Sequence, residues 1–172
     1  MSLTACPTQV SCLYQSPLGQ LKLVEKHGFL TQSDFIDELS EEEIGSGISL
    51  QQVSAFLQKV CLQLDEYFSG NLHKFDLPLK PQGTVFQRSA WNALLRIPYG
   101  ETRSYLQQAQ AIENPKAVRA VGMANSRNPI HIIIPCHRVI GKNGALTGYA
   151  GGIERKIGLL ELEKRFKPVQ MN

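Results

Sequence analysis

The sequence predicts an α+β fold in two domains, a small α+β domain over residues 1–76 and a winged helix-turn-helix domain over residues 84–172. One observation is charge: residues 1–76 hold 4 Lys and Arg against 10 Asp and Glu, and residues 77–172 hold 14 against 5, so the net charge changes from −6 to +9. Another is that two prolines and a glycine interrupt residues 77–83, which are predicted as a linker. The third is that the first half combines short strand-like segments with one long helix, whereas short helices dominate the second half. A basic second domain favours a polyanion such as nucleic acid as its partner.

The first domain is predicted to contain three strands and one long helix. Residues 9–14 and 21–25 alternate as strands around the turn Ser16-Pro17-Leu18-Gly19, and residues 29–35 are a third strand. Acidic residues 37–47 are predicted to be a solvated loop. Residues 50–68 carry one apolar stripe at helical spacing, which includes Cys61, so this cysteine is expected to pack against the core.

The second domain is predicted to begin with a helix over residues 84–96, with Thr84 and Gln87 forming a capping box and Trp91 as a core anchor. Phe86, Ala90, Leu94 and Leu95 are expected to face the same core. A short helix over residues 104–112 and a turn follow. Asn114 is the expected N-cap and Pro115 the first residue of a second helix.

Two short helices joined by a tight turn in a basic domain indicate a helix-turn-helix. The second helix is expected to expose Lys116, Arg119, Gly122 and Asn125, which are mostly small. Few major-groove base edges are within reach of such a helix, so recognition by shape and groove insertion is favoured. Arg119 is either a phosphate clamp or a probe that enters the base stack.

The segment Ile132–Val139 carries the most reactive group. Three isoleucines predict a buried strand, which Pro135 ends. The thiol of Cys136 then lies beside His137 and Arg138, where positive charge should favour ionisation to the nucleophilic thiolate. The alternative is a buried cysteine next to a surface salt bridge. Asn143-Gly144 predicts a hairpin, a wing over residues 139–149, and a last helix over 153–166 closes the domain.

Other classes of protein are disfavoured. No apolar run approaches the ~20 residues that a membrane helix needs, and the first six residues lack the pattern of a signal peptide. The four cysteines form no C-x-x-C pair, which is typical of a reducing, cytoplasmic compartment. Cys6, Cys12 and His27 have no spacing typical of a zinc site, so no metal is predicted.

Several motifs together resemble one family. They are Pro135–Val139, Asn114–Gly122, the turn Arg127-Asn128-Pro129, and Gly148-Tyr149 followed by Gly151-Gly152. They resemble the methylated-DNA–protein-cysteine methyltransferases, also called O6-alkylguanine-DNA alkyltransferases, over residues 84–165, with a looser match before residue 76. The resemblance implies a ribonuclease-H-like first domain and a monomer that binds double-stranded DNA through its minor groove. It implies that O6-alkylguanine is flipped out and that its alkyl group passes irreversibly to the protein, once per molecule and without a cofactor.

The resemblance also assigns roles to single residues. Cys136 is the alkyl acceptor, His137 the general base acting through a water, and Glu163 the carboxylate that orients His137. Tyr105 is the hydroxyl that protonates the departing guanine, and Arg119 fills the gap left by the flipped base. The further DNA- or base-binding positions are Asn128, which braces the active-site turn, Arg127 in the same turn, the pocket walls Val139 and Tyr149, Ala150, and the nearby cation Lys156. Arg138 is expected to be structural or to contact phosphate.

Three departures from the family pattern carry expectations. Ala150 stands where some members have a serine whose hydroxyl helps to hold the guanine oxygen. The backbone N–H there can still donate, so altered affinity and not loss of binding is expected. Gly158 stands where many members have a large aromatic residue, and the missing bulk is expected to leave the last helix loosely packed. Lys26 and Thr31 stand nearest to the positions where some members carry zinc ligands.

Three other functions compete with alkyl transfer: a non-catalytic damage sensor of similar fold, a winged-helix transcription factor, and a Cys-His hydrolase. The sensors of this kind lack the cysteine, and the hydrolase lacks an oxyanion-hole signature. The sequence does not decide the alkyl size accepted, although His131 and Asn125 are predicted to set the pocket width. It also leaves repair of O4-alkylthymine and cooperative assembly on DNA open.

Overall fold

The computed structural model describes residues 9–41 and 53–169. The described strands and helices are β1 (Gln9–Ser16), β2 (Gly19–Lys26), β3 (Phe29–Ile36), α1 (Ala55–Phe68), α2 (Val85–Leu94), β4 (Arg103–Ser104), α3 (Tyr105–Ala111), α4 (Val118–Ser126), a 3₁₀ turn (Cys136–Arg138), β5 (Val139–Ile140) and α5 (Ile153–Arg165). Strands β1, β2 and β3 form an antiparallel sheet in that order, and α1 packs on β1 and β2. The three strands predicted for the first domain are therefore confirmed.

The hairpin between β1 and β2 is closed by Pro17 and Leu18, with Ser16 paired to Gly19. The hydroxyl of Ser16 accepts from the Leu18 amide at 3.1 Å and donates to the Gly19 carbonyl at 2.6 Å, which fixes the turn. Gly19 has φ +128°, a backbone region open mainly to glycine. This turn lies against α5, so its shape affects the second domain.

Helix α1 begins at Ala55, five residues later than the predicted position 50. The side chain of Ser54 accepts from the Leu57 amide and so acts as the N-cap, while Val53 is not helical. Residues 50–52, and most of the predicted loop over 37–47, lie outside the described residues. Cys61 is partly buried and packs against the core, as expected.

The predicted linker is attached to the first sheet. Leu30 and Leu79 form a parallel bridge, with the Leu30 amide donating to Pro78 and the Lys80 amide donating to Leu30. No regular helix or strand occurs in residues 77–83. The division of the chain at these residues stays a prediction.

Helix α2 carries the predicted capping box, because Thr84 and Gln87 exchange both hydrogen bonds. Trp91 is buried and donates to the Ala124 carbonyl at 2.9 Å, so its assignment as a core anchor is confirmed. The helix ends at Leu94, because the amides of Arg96 and Ile97 bond three residues back, to the carbonyls of Ala93 and Leu94. Leu95 is 44% exposed and was wrongly placed in the core.

The helix-turn-helix forms, but the start of its second helix differs from the prediction. Ser104 caps α3 in a capping box with Gln107. Glu113, with φ +58°, ends that helix, and the Asn114 amide bonds back to Ala109. The backbone carbonyl of Asn114 then accepts a hydrogen bond from the Ala117 amide, which makes residues 114–117 a β-turn.

Helix α4 therefore starts at Val118, and the predicted N-cap Asn114 and N1 residue Pro115 are wrong. Proline suits position i+1 of a turn as well as the first position of a helix, so the sequence signal was ambiguous. Asn125 is also buried where exposure was expected. Its amide exchanges two hydrogen bonds with Gln108 of α3, at 2.7 and 2.9 Å, and so joins the two helices.

The predicted wing is a loop. Strand β5 pairs in parallel with β4, and residues 141–145 form a turn closed by the Gly141 amide and the Ala145 carbonyl at 2.8 Å. No described residue after 145 pairs as a returning strand, so the hairpin prediction was wrong. Asn143-Gly144 does lie in the turn, but the next residues lack an extended partner.

The last helix, α5, follows its predicted bounds to within one residue. The expectation that Gly158 leaves it loosely packed is wrong. A Cβ at Gly158 would lie 2.6 Å from Cδ2 of Leu18, so the hairpin turn of the first domain fills this space. Arg155 adds a second link, with an ion pair to Asp37 at 2.5 Å and a hydrogen bond to the Leu18 carbonyl at 3.0 Å.

Candidate active site

The segment before Cys136 is a buried turn, which corrects the predicted strand over residues 132–134. Ile132 has φ +72°, and the Ile133 amide donates to the His131 carbonyl at 2.9 Å, which is a γ-turn with positive φ. A β-branched residue is strained in this region, so the surrounding packing must hold it there. Pro135 is the centre of a second tight turn, in which the Cys136 amide donates to Ile134 at 2.8 Å.

Asn128 holds this turn together. Its Nδ2 donates to the Ile134 carbonyl at 2.8 Å and to Sγ of Cys136 at 3.2 Å, and its Oδ1 accepts from the Ile130 amide at 3.0 Å. The first domain also contacts the turn, because Ser33 of β3 bonds to Pro129 and His131 as a parallel bridge. The strained backbone is thus fixed from two sides.

The thiol of Cys136 is almost fully buried, with 5% of the residue exposed. Burial raises its pKa to about 11, although the Asn128 hydrogen bond and the nearby Lys156 favour the thiolate. The expectation that adjacent positive charge makes this thiol ionise readily is therefore wrong. At neutral pH the resting group is therefore a thiol, which becomes a nucleophile only when a base removes its proton.

His137 and Glu163 form a buried pair, with Nε2 of His137 2.7 Å from Oε1 of Glu163. Burial opposes ionisation of Glu163, but His137 and Arg138 outweigh it and lower the pKa of this carboxyl well below its usual range. An ionised carboxylate only accepts, so Nε2 must carry the hydrogen. Burial lowers the pKa of His137, and Nδ1 has no hydrogen-bond partner among the described protein atoms.

Arg138 is buried inside the domain and holds the other side of the carboxylate. Its Nε and Nη2 each lie 2.9 Å from Glu163, and Nη1 donates to the Ile97 carbonyl at 2.7 Å. Its guanidinium also lies over the ring of Tyr99. These contacts make Arg138 a structural residue. A structural role and a phosphate contact were the two roles expected for it.

Two further donors to Glu163 were missed by sequence reasoning. The hydroxyl of Tyr67, in α1, donates to Oε1 at 2.8 Å, and the Gly100 amide donates to Oε2 at 3.1 Å. Nothing in the local sequence pattern separates Tyr67 from the other aromatic residues of the core.

A cavity of about 540 Å³ lies beside α4. Its lining joins Tyr105, Tyr149 and Ala150, three of the predicted site residues, to small residues of α4 such as Gly122. Cys136 and Val139 are not in this lining, and Val139 is fully buried. The hydroxyl of Tyr105 donates to the Thr147 carbonyl at 3.2 Å. A larger cavity of about 730 Å³ is lined by Pro135 and Arg138 but by none of the predicted DNA-binding residues.

Lys156 is fully buried in α5, and burial lowers its pKa. Its Nζ donates to the Val139 carbonyl at 2.7 Å and to the Thr147 carbonyl at 3.3 Å. It therefore ties α5 to both ends of the loop that follows the active-site turn. Arg119 and Arg127, by contrast, are exposed on and just after α4, where a bound polyanion could reach them.

His131 lies between two aromatic rings, 6.1 Å from Phe35 and 5.6 Å from Tyr149 between centroids. Burial lowers its pKa to about 4, so it is neutral at pH 7. Phe35 belongs to the first domain and was not predicted to approach the site. The second residue that was predicted to set the pocket width, Asn125, instead bonds to Gln108.

Comparison with known proteins identifies the family. The model of the 6-O-methylguanine DNA methyltransferase ribonuclease-like domain matches residues 10–81, and the model of the DNA binding domain of the same family matches residues 85–165. The chain belongs to this family. The α+β fold class, with a ribonuclease-like first domain and a DNA-binding second domain, is thereby confirmed.

Relatives within the family match most of the chain. A methylated-DNA–protein-cysteine methyltransferase of Methanosarcina acetivorans is 49% identical over 151 residues, which are 88% of this chain and 96% of the relative. The crystal structure of the Mycobacterium tuberculosis O6-methylguanine methyltransferase is 46% identical, with a TM-score of 0.82, and covers 94% of this chain and 96% of its own. The structure of the Mycobacterium tuberculosis protein in complex with DNA is 48% identical, covers 92% of this chain and 94% of its own, and has a TM-score of 0.79.

Membership of this family argues against the transcription-factor and hydrolase hypotheses. Across residues 9–41 and 53–169, no group of three or more His, Cys, Asp or Glu side chains could hold a metal ion. In the same part of the chain, every helix is too short or too polar to cross a membrane.

Proposed function

We propose that this member of the 6-O-methylguanine DNA methyltransferase family repairs DNA by moving the alkyl group of O6-alkylguanine to Cys136, irreversibly and once per molecule. The observation that carries this proposal is the buried Cys136 thiol, held by Asn128 and adjacent in sequence to His137, whose Nε2 is bonded to Glu163. The names of the relatives support it. The protein is proposed to act as a monomer, in a reducing compartment such as the cytoplasm that keeps Cys136 a free thiol.

Proton removal is the first step of the proposed reaction. Because Nε2 of His137 donates to Glu163, Nδ1 carries the free lone pair and can take the thiol proton through a bridging water. Glu163 stabilises the imidazolium that results. The thiolate formed is stabilised by the Asn128 amide and the positive charge of Lys156, both of which favour the ionised sulfur.

Displacement at carbon follows. The sulfur of Cys136 forms a bond to the alkyl carbon as the bond from that carbon to O6 of guanine breaks, so the thioether is the protein product. The guanine leaves as an anion and takes a proton, which we assign to the hydroxyl of Tyr105. That hydroxyl bonds to Thr147 in the free protein, so it must turn to the base when the base is bound.

DNA is proposed to bind along α4 with the lesion flipped into the cavity lined by Tyr105, Tyr149 and Ala150. The target atom is stacked inside a duplex and is unreachable without extrusion, which costs a few kcal/mol. Arg119 is proposed to fill the gap, and Arg127 to contact the backbone. The small residues of α4 support this orientation, and the structure of the Mycobacterium tuberculosis relative in complex with DNA supports DNA as the partner. At Ala150 the backbone amide replaces the lost serine hydroxyl as donor to the guanine oxygen.

Intact-mass measurement tests the proposal directly. The protein is incubated with a duplex that carries O6-methylguanine, and a second duplex with O4-methylthymine is measured in parallel. The expected result with methylguanine is one added methyl group per molecule, mapped to the peptide of Cys136. The thymine duplex then determines whether O4-alkylthymine belongs to the substrates.

Two cysteine variants make the result specific. Cys136→Ala should bind the duplex and gain no mass, while Cys61→Ala, which changes a partly buried thiol of the first domain, should gain the methyl group normally. Unchanged mass with tight, lesion-selective binding by the natural sequence would favour a damage sensor. Unchanged mass without lesion preference would contradict the proposed function.

A further inference from the structure

The hydroxyl of Tyr67 and the imidazole of His137 share one acceptor atom. Tyr67 donates to Oε1 of Glu163 at 2.8 Å, and Nε2 of His137 lies 2.7 Å from the same oxygen. Tyr67 is 96 residues from Glu163 in sequence and belongs to the first domain, whereas the reacting groups belong to the second. We propose that Tyr67 is a positioning residue for alkyl transfer, which sets the orientation and basicity of Glu163 and thereby the basicity of His137. This inference rests on the function proposed above.

The ring and the hydroxyl of Tyr67 have separable contacts. The ring packs against Phe68, Phe75 and Tyr99, with centroid distances of 5.2, 5.3 and 5.9 Å. The hydroxyl makes its hydrogen bond to Glu163. Burial raises the pKa of Tyr67 well above its usual range, so the hydroxyl keeps its hydrogen at neutral pH. A phenylalanine would fill the same core space and remove only the bond to the carboxylate.

The carboxylate of Glu163 is saturated with donors. Oε1 accepts from Tyr67, from His137 and from Nη2 of Arg138, while Oε2 accepts from Nε of Arg138 and from the Gly100 amide. A carboxylate offers about four lone-pair sites, so these donors compete for its electron density. Removing the Tyr67 hydroxyl leaves Oε1 a stronger acceptor for His137. The imidazolium is then stabilised further, which moves the pKa of His137 upward.

Other ionisable groups also face this pair and must be held constant in a test. They are Tyr99 before β4, His131 and Cys136 in the active-site turn, Arg138 in the 3₁₀ turn, Tyr149 in the following loop, and Lys156 in α5. Arg138 contacts both oxygens and is the strongest of these neighbours. A change confined to the Tyr67 hydroxyl leaves all of them in place.

The experiment measures the single-turnover rate of methyl transfer at saturating protein as a function of pH, together with DNA affinity. For Tyr67→Phe we expect about a 10-fold lower rate at neutral pH, because His137 loses part of its fixed orientation and a positioned general base contributes about 10²–10⁴-fold in all. The acid limb of the pH–rate profile, where His137 becomes protonated, should move to higher pH. DNA affinity should not change. A purely structural role would lower thermal stability without moving the acid limb.

Tyr14→Phe is the matched control. Tyr14 is a buried tyrosine of the same domain whose hydroxyl donates to Asp65 at 2.7 Å, so the variant loses an equivalent hydrogen bond away from Glu163. Tyr14→Phe should have the same methyl-transfer rate and the same acid limb of the pH–rate profile as the natural sequence. An equal shift in both variants would overturn the inference.

Replacement of Tyr67 by 3-fluorotyrosine keeps the fold and tests the same bond in the opposite direction. The fluorinated phenol is a stronger donor, so it should move the acid limb to lower pH. If both Tyr67 variants keep the pH–rate profile of the natural sequence, and the natural sequence transfers methyl groups normally, the inference about Tyr67 is contradicted and the proposed function is not. Absence of methyl transfer by the natural sequence would instead contradict the proposed function.

Discussion

The side-chain nitrogen of Asn128 lies 3.2 Å from the sulfur of Cys136, and the same nitrogen lies 2.8 Å from the carbonyl oxygen of Ile134. Its amide oxygen accepts from the Ile130 amide at 3.0 Å. One buried side chain therefore fixes both ends of the strained γ-turn at Ile132 and positions the thiol. The turn and the Cys136 thiol are consequently one structural unit.

Asn128→Ala should damage stability and alkyl transfer together. Loss of the amide leaves buried backbone groups without partners, which costs about 1–3 kcal/mol for each unsatisfied group. It also removes a donor to the thiolate of Cys136, and a hydrogen bond to a charged group contributes about 1.5–3 kcal/mol, so the transfer rate should fall at least about 10-fold. Chemical denaturation and single-turnover kinetics measure the two effects. Asn92→Ala changes an exposed asparagine in α2 and should leave the transfer rate unchanged, while helix propensity raises the stability by up to about 0.7 kcal/mol.

The neutral state of His131 should make stability depend on pH. Its folded pKa, about 4, is below the unfolded value of about 6.5, so the unfolded state binds more protons between these values. The stabilisation is present above about pH 6.5 and is lost as pH falls through the folded pKa. His137 has a shift of the same sign.

A comparison of His131→Asn with the natural sequence isolates the contribution of His131. Between about pH 7 and pH 5 the natural sequence should lose about 2 kcal/mol more unfolding free energy than the variant. Denaturant titrations at the two pH values provide the measurement. Equal losses in the two proteins would show that His131 is not neutral in the folded state, or that it titrates normally.

If Arg119 fills the space of the flipped base, its replacement should change the rate of methyl transfer more than the affinity for DNA. Arg119→Lys keeps the charge and should keep the slope of log affinity against log salt, but lower the transfer rate on duplex DNA. Arg119→Ala should lower the rate and also reduce that slope by about 1. A phosphate clamp would instead leave the rate at saturating DNA unchanged in both variants. Lys59→Ala, on α1 of the first domain, serves as the charge control and should change neither quantity.

Gly158 and Leu18 should be energetically coupled. Alanine is about 1 kcal/mol better than glycine within a helix, but its Cβ would lie 2.6 Å from the Leu18 side chain. Gly158→Ala should therefore stabilise the Leu18→Ala background by about 1 kcal/mol and the natural sequence by less. A double-mutant cycle of unfolding free energies gives the coupling energy. Additive effects would show that Leu18 moves away without cost.

Local chemistry in the sequence was enough to predict many elements. The strands of the first sheet, the capping box of Thr84 and Gln87, and the bounds of α5 all follow from short-range patterns that the structure keeps. The pairing of Glu163 with His137 was supplied by family resemblance. No local pattern joins residues that are 26 positions apart.

The failures occur where tertiary contacts override local preference. Ile132, Ile133 and Ile134 have the composition of a strand, but Asn128 and Ser33 hold this segment in a turn. Asn114 and Pro115 fit a helix start as well as a β-turn, and the packing of α3 against α4 selects the turn. The hydrogen bond from Tyr67 to Glu163 depends on how the two domains pack together. No spacing of residues in a single sequence indicates that packing.

The raised pKa of Cys136 has a consequence for the lifetime of the protein. A molecule that can react only once is lost if its sulfur is oxidised or alkylated by anything other than its substrate. Peroxides and soluble electrophiles react with thiolates, and burial keeps this sulfur both protonated and out of solvent. Under the proposed mechanism, the same burial that makes Cys136 dependent on His137 also protects the unreacted protein until it binds an alkylated base.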